Sequence, residues 1–177
     1  YLAGALDGVR DYMRQYPYDC LEQRVSRAIV LADDAAWAGL MQALPAYMDR
    51  DGLLRYFAAG SVPGSDVLTA YVLSVVCAQG WEIPSATRDK LIAGLRGFVE
   101  GKINREGVLR APDLALRKLA AMEALARVDS FDPEQLESIA IEPTLWPTSA
   151  VLDWWSLLQR ADDIPDRDAR RAAAENV

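Results

Sequence analysis

Apolar residues recur along this chain at intervals of three and four positions, which is the spacing of one face of an α-helix. Leu2, Leu6, Val9 and Met13 show this spacing in the first segment, and the pattern stops before Pro17. No stretch shows the sustained alternation of apolar and polar residues, bounded by turns, that is typical of a half-buried strand. The pattern therefore predicts an all-α fold.

Capping residues, prolines and glycines divide the rest of the chain into further helices. Asp19 is the predicted N-cap of the second helix, and Glu22, three residues later, completes a capping box. We expect the third helix to bend or restart at Pro45 and the fourth to end at Gly80. The last stretch, DRDARRAAAENV, reads as a solvated helix or a frayed end. The other predicted starts are Asp34, Ser65 or Asp66, Pro84-Ser85, about Pro112, Asp132-Pro133, and Thr148 or Ser149.

Two short internal similarities bear on how these helices are arranged. Residues 50–55 (RDGLLR) resemble residues 105–110 (REGVLR), and residues 63–68 (PGSDVL) resemble residues 147–152 (PTSAVL). A repeated helix, Gly-containing turn and helix is typical of stacked antiparallel α-hairpins. Chance similarity is the alternative, since both segments are short.

Several side chains have a simple structural interpretation. Cys77 lies within an apolar helix face and is predicted to be a buried core thiol. Val151, Leu152, Trp155 and Leu158 mark the apolar face of the eighth helix. The pair Trp154-Trp155 is predicted to place one ring in the core, and the acid pairs 33–34 and 162–163 are predicted to be caps and solvated turns.

Composition narrows the classes of function. The 177 residues suffice for one domain with a core or for part of a larger one, and 26 acidic against 19 basic residues argue against nucleic acid and anionic membrane as partners. The apolar run near the middle, VLTAYVLSVVCA, is shorter than the ~18 residues of a membrane span. The absence of histidine removes the common general base and the commonest metal ligand, which excludes Ser-His-Asp and Cys-His catalysis and most zinc sites in this chain. We predict no metal site and no cofactor.

The chain begins at Tyr1 inside a predicted helix and without an initiator Met. We therefore expect residues 1–177 to be a single domain excised from a larger multidomain protein. A signal peptide or lipid anchor of that parent would not be visible here, so the cellular compartment cannot be read from the sequence.

Cys20 and Gln23 are the residues with distinctive chemistry. With Asp19 as the cap, Cys20 takes the first helical position and Gln23 lies one turn on, with β-carbons about 5–6 Å apart. The unpaired N–H groups and the positive dipole end of the first turn favour the Cys20 thiolate and can steady an oxyanion on the Gln23 carboxamide. Thiolate attack with loss of ammonia would leave an internal thioester. On spacing alone, a buried thiol beside an exposed amide is the simpler interpretation.

The residues around this pair resemble a known motif. Residues 16–23 read YPYDCLEQ, close to the Tyr-Pro-Tyr-Gly-Cys-Leu-Glu-Gln thioester motif of the bacterial alpha-2-macroglobulins. Residues 66–73, DVLTAYVL, are similar to that family's helix with a Leu-Thr-Ala-Tyr core, at a comparable distance after the cysteine. The resemblance covers roughly residues 1–130. It implies a thioester domain built as an α/α toroid of antiparallel helical hairpins, here a truncated ring.

The resemblance also implies a function, that of a single-use endopeptidase inhibitor in bacterial defence rather than a turnover enzyme. In the family, cleavage of a bait segment in another domain triggers a rearrangement, and the exposed thioester acylates an amine of the attacking protease, here a Lys side chain. Cys20 and Gln23 would form the bond, and Glu22 is the motif acid, assigned to the helix cap. Tyr16 and Tyr18 would keep water out, together with a neighbouring domain. The implied location is the periplasm or cell envelope.

Three features depart from the family pattern. Asp19 stands where the motif has Gly, and its negative charge should oppose thiolate formation. Residues 51–57 (DGLLRYF) replace a Gly-rich segment of many relatives. Some complement relatives use a downstream His to pass the acyl group to hydroxyls, and Ala115 lies at or near its place, so direct attack by amines should dominate.

Two other classes of function stay open at this point. The first is a helical scaffold or protein-binding module whose thioester motif is degenerate and unreactive because of Asp19. The second is a glycan-processing enzyme on a related toroid, which would need two carboxylates facing across a cleft. The sequence nominates no such pair.

Overall fold

Helices make up the regular structure in the part of the chain that the computed structural model describes, which comprises residues 2–103, 111–139 and 146–175. Within it, backbone pairing outside the helices amounts to two isolated bridges, Met48 with Leu54 and Leu54 with Ser65. The all-α prediction is confirmed. The helices are α1 (Leu2–Gln15), α2 (Leu21–Leu31), α3 (Asp34–Tyr47), α4 (Asp66–Gln79), α5 (Ser85–Val99), α6 (Ala111–Ala126), a short 3-10 helix (Pro133–Ser138), α7 (Thr148–Arg160) and α8 (Arg167–Ala174).

Local capping chemistry sets several of the boundaries. Ser65 accepts a hydrogen bond from the Leu68 N–H at 3.2 Å and starts α4, and Gly80, with φ 67°, ends it as predicted. The cap of α3 is Asp33 instead of Asp34, because the Asp33 carboxylate accepts from the Ala36 N–H at 2.9 Å. The helix also runs through Pro45 to Tyr47 without restarting.

The core is shared by helices that are neighbours in the sequence. Helix α1 packs against α2 and α2 against α3, and the helices from α4 to α8 pack in sequential pairs. The pair α2–α4 joins these two groups, and the pair α4–α6 adds a non-sequential contact within the second group, so α4 and α6 lie at the centre. Each fully buried Leu or Met contributes roughly 1.5–3 kcal/mol of transfer free energy. The largest fully buried side chains are Leu21, Leu44, Leu53, Leu54, Leu68, Leu73, Leu91, Leu95, Leu119, Met122, Leu125 and Leu157.

Three predicted core positions lie at the surface. Cys77 is exposed, with its Sγ 3.1 Å from the Arg127 carbonyl oxygen, so the core-thiol prediction is wrong. Leu152 is exposed because α7 turns the face carrying Trp154 and Leu157 inward. Val9 is also exposed, since α1 packs only against α2 among the helix pairs with substantial contact in the described structure.

A polar cluster joins α4, α6 and α7 inside this core. Glu123 is 3% exposed and accepts hydrogen bonds from Arg127 at 2.7 and 2.8 Å, from Ser156 at 2.6 Å and from Ser74 at 3.3 Å. Burial, with a smaller contribution from the Glu123 charge, raises the pKa of Asp153 to about 6 from its ordinary value of 3.8. The seam between α6 and α7 therefore holds a carboxyl group that its surroundings disfavour in the charged form.

Candidate functional site

The start of α2 brings Cys20 and Gln23 together. Cys20 is the N-cap residue, with extended dihedral angles (φ −71°, ψ 163°), and its backbone N–H donates to Gln23 Oε1 at 3.3 Å. The Cys20 side chain faces the backbone N–H of Gln23 in the reciprocal half of a capping box. The predicted box of Asp19 and Glu22 is therefore wrong by one residue, and Glu22 is an exposed acid in the first turn.

Asp19 does not cap the helix because two arginines of α2 bind its carboxylate. Asp19 Oδ1 lies 3.0 Å from Arg27 Nη2 and 3.7 Å from Arg24 Nε. Arg27 also donates to the Tyr16 carbonyl oxygen at 3.4 Å, and Arg24 donates to the Tyr47 hydroxyl at 2.7 Å. These contacts fasten the extended segment before Cys20 along the side of α2. They also place the positive charges of both arginines beside Asp19, the residue whose negative charge is expected to oppose thiolate formation at Cys20.

The thiol lies in a largely dry setting. Cys20 is 7% exposed and Gln23 is half-buried. Leu21, the next residue, is completely buried, and its N–H donates to the Tyr56 carbonyl oxygen at 2.9 Å. The pair of Cys20 and Gln23 is thereby anchored from one side by the core and from the other by the loop of residues 49–64.

Aromatic rings line the approach to this segment. Tyr16 is half-buried, and its ring centroid lies 5.3 Å from that of Tyr12 and 5.4 Å from that of Tyr18. Tyr18 is 62% exposed. The shielding role assigned to Tyr16 and Tyr18 stays a prediction, and an outward-facing Tyr18 would need a further surface against it to exclude water.

The loop of residues 49–64 is held by its own backbone. Asp49 accepts hydrogen bonds from the N–H groups of Asp51 at 2.9 Å, Leu53 at 3.0 Å and Gly64 at 2.8 Å. Gly52 has φ +82°, and a Cβ there would meet the Lys90 carbonyl oxygen at 2.4 Å. The segment of residues 51–57 therefore belongs to a closed loop packed against α5.

Residues of the 66–73 motif on α4 contact the segments next to the Cys20–Gln23 motif. Thr69 is fully buried; its Oγ1 accepts from the Leu54 N–H at 2.8 Å and donates to the Ser65 carbonyl oxygen at 2.7 Å. The hydroxyl of Tyr71 lies 2.6 Å from that of Ser26 on α2. The Thr-Ala-Tyr part of α4 thus holds both the loop and the helix that carries Cys20. Sequence reasoning pointed to this segment only through the resemblance and named neither contact.

Asp66 ties the start of α4 to α6. Its carboxylate is 1% exposed and binds the Arg117 guanidinium through two hydrogen bonds, one of them from Nε to Oδ2 at 2.8 Å. The sequence identified Asp66 only as a helix-opening residue. Its buried pairing fixes the position of the motif helix relative to the rest of the core.

Other predicted features have modest roles. Ala115, near the place of the complement histidine, is buried on α6 and brings no nucleophile. Within the described ranges, no group of three or more acids or cysteines could hold a metal ion, and no helix there is long and apolar enough to cross a bilayer.

Among the residue pairs singled out in the sequence, Asp162 of the acid pair 162–163 forms an ion pair with Arg167, and Trp154 is the buried member of the pair Trp154-Trp155. The repeat at 105–110 lies outside the described residues.

Comparisons with known proteins point to one fold. No protein-family model and no curated protein matches this sequence. Among solved structures, the chain is similar to part of E. coli alpha-2-macroglobulin in its native conformation, studied by cryo-EM, with a TM-score of 0.70 and 18% sequence identity. The match covers 97% of this chain and 12% of that protein. The fold is therefore similar to a segment of a bacterial alpha-2-macroglobulin.

Proposed function

We propose that the chain is a thioester domain of a protease-trapping protein of the alpha-2-macroglobulin type. The observation that carries this proposal is the mutual contact of Cys20 and Gln23 at the start of α2, with Gln23 Oε1 3.3 Å from the Cys20 nitrogen and the thiol 7% exposed. The YPYDCLEQ motif and the fold similarity support it.

Closure of the bond follows from this arrangement. The Cys20 thiolate attacks Gln23 Cδ, and the carbon–nitrogen bond of the carboxamide breaks as a proton passes to the departing nitrogen, so that ammonia leaves. The Cys20 N–H already donates to the carbonyl oxygen on which negative charge develops. Holding both groups on one helical turn removes most of the entropy cost of bringing them together.

The thioester is then consumed by its target. A lysine amine of an attacking protease adds to Gln23 Cδ, the bond to Cys20 Sγ breaks, and a stable amide joins the two proteins. Each molecule acts once, so the protein is an inhibitor and not a turnover enzyme. Because the chain lacks histidine, the acyl group passes directly to the amine.

The surroundings of the domain are part of the proposal. The chain spans 12% of the length of the E. coli protein, which supports a single domain, residues 1–177, within a larger chain. We place it in the periplasm or cell envelope, as an incomplete α/α toroid. A neighbouring domain of the parent would cover the exposed Tyr18 and complete the shield around Cys20.

A second candidate is a helical scaffold with an unreactive motif. One observation favours it: the reciprocal capping contact of Cys20 and Gln23 stabilises the start of α2 without any covalent bond. Under this alternative both residues have a purely structural role, and the free thiol is permanent.

The intact mass of the native protein separates the two candidates. A closed thioester lowers the mass by about 17 Da, the mass of ammonia, and methylamine then adds at Gln23 and frees one thiol. Cys20→Ala should abolish the mass loss, methylamine addition and covalent protease capture together. Cys77→Ala, which removes the exposed thiol on α4, is the matched control and should keep all three. A full-mass protein in which Cys20 titrates freely supports the scaffold.

A further inference from the structure

The carboxylate of Asp19, the residue before Cys20, is held by ion pairs and is still largely exposed to solvent. Both arginine contacts, from Arg27 and from Arg24, fall on one oxygen, Oδ1. The Asp19 side chain is nevertheless 68% exposed. A carboxylate oxygen therefore faces solvent at the position that the thioester motif gives to Gly.

Its place along α2 puts this charge close to the acyl carbon. Asp19 directly precedes Cys20, Arg24 directly follows Gln23, and Arg27 lies four residues after Gln23 on a neighbouring position of the same face. A carboxylate bound to both arginines therefore lies along the surface of α2 next to Gln23. A nucleophile that reaches Gln23 Cδ along this surface passes the charge.

The two arginines hold the Asp19 carboxylate in place without covering it. Arg24 also donates to the Tyr47 hydroxyl and Arg27 to the Tyr16 carbonyl oxygen, so each guanidinium is itself fixed by a second acceptor. Glu22, exposed in the first turn, adds a further negative charge at the same end of the helix. Charges of both signs therefore lie at this end of α2, and the exposed Asp19 carboxylate is one of the two negative ones.

We propose that Asp19 selects the nucleophile, directing the thioester towards amines and away from hydroxide. The inference rests on the proposed thioester. As a lysine nitrogen bonds to Gln23 Cδ it becomes positively charged, and the Asp19 carboxylate stabilises that charge. The carbon–sulfur bond then breaks, its electron pair leaves on Cys20 Sγ, and the proton of the nitrogen passes to solvent. Hydroxide carries a negative charge that the same carboxylate repels.

A role of Asp19 in selecting the nucleophile and a role in positioning alone predict different effects of removing its charge. If Asp19 only fastens the segment before Cys20, its loss changes aminolysis and hydrolysis in the same direction. If it selects the nucleophile, the two rates move apart. Coulomb attraction of one unit charge at about 4 Å in water corresponds to a rate change of about five-fold, in opposite directions for the two nucleophiles.

The experiment uses the native protein with Asp19→Asn, which keeps the side-chain shape and removes the charge. Release of the Cys20 thiol is followed with methylamine near neutral pH and with hydroxide at alkaline pH. We expect the ratio of the two rate constants to fall more than about ten-fold in Asp19→Asn. Asp19→Glu should restore the ratio, and Asp89→Asn, an exposed acid on α5, should leave it unchanged. Raising the salt to about 1 M should move the native ratio towards that of the variant.

Each outcome bears on a different claim. A ratio that stays within about two-fold of the native value in Asp19→Asn, whatever the individual rates, overturns the selection role and leaves the thioester intact as a proposal. A native protein that shows neither mass loss nor methylamine addition overturns the proposed function and this inference together. Failure of Asp19→Glu to restore the ratio also counts against selection by charge.

Discussion

Thr69 offers the sharpest test of how α4 supports the candidate site. The substitution Thr69→Val keeps the branched shape of the side chain and replaces the hydroxyl with a methyl group. The Leu54 N–H then loses its acceptor at 2.8 Å in a position where both residues are fully buried. The Ser65 carbonyl oxygen still accepts from the Thr69 N–H at 3.0 Å, so one group rather than two is left without a partner.

The magnitude follows from that single buried donor. An unsatisfied buried N–H destabilises the folded state by about 1–3 kcal/mol, and valine and threonine differ little in helix propensity. We expect a loss of about 2 kcal/mol in the free energy of unfolding, which lowers Tm by roughly 4–8 °C in a chain of this length. The Leu54 backbone lies in the loop that binds Leu21, so hydrogen exchange of the Leu54 and Leu21 amides should speed up together.

Chemical denaturation of the native and variant chains at neutral pH measures this loss as a lower transition midpoint at unchanged slope. Thr148→Val, an exposed change at the start of α7, is the matched control and should stay within about 0.5 kcal/mol of the native value. A loss below about 0.5 kcal/mol in Thr69→Val, or unchanged exchange at Leu54, would refute the reasoning that this hydroxyl holds the loop.

Two further predictions concern stability. Because burial raises the pKa of Asp153 to about 6, its contribution to stability is full below about pH 4 and is lost as the pH rises through about 6. Asp153→Asn should therefore raise the free energy of unfolding by about 1 kcal/mol at pH 7.5, after allowance for partial solvent screening, and by far less at pH 4; equal gains at both values contradict this. Gly52→Ala should lower Tm by several degrees, because φ is +82° there and the new Cβ would meet the Lys90 carbonyl oxygen at 2.4 Å. Gly39→Ala, inside α3 with open space around it, is the control and should leave Tm unchanged or raise it.

The sequence predicted the helices well where their ends depend on neighbouring residues. Ser65 and Gly80 bound α4 through contacts made within a few positions, and these follow from capping chemistry alone. The start of α2 was not predicted correctly, because Asp19 pairs with arginines five and eight residues away. These ion pairs draw its side chain from the cap, and Cys20 takes the cap position. A short acid before a helix was the expected cap, and ion pairing with the side of the same helix overrode it.

The supporting contacts of the site were beyond sequence reasoning for a similar reason. Thr69 meets Leu54 across fifteen positions, and Asp66 meets Arg117 across fifty-one. Whether Cys77 and Leu152 face inward depends on how neighbouring helices pack, and an apolar pattern along one helix does not settle that. The pairing of Cys20 with Gln23 was predictable because three residues along a helix start leave few arrangements open.

The capping contact between Cys20 and Gln23 has a consequence for how a spent molecule would look. The side-chain carbonyl oxygen of Gln23 is present in the amide, in the thioester and in the final cross-link, so the Cys20 N–H keeps an acceptor in every state. The first turn of α2 can therefore persist through the whole reaction. Under the proposed function, a probe that senses helix content would register no change at this position, and a spent molecule would be recognised by its mass and its liberated sulfhydryl.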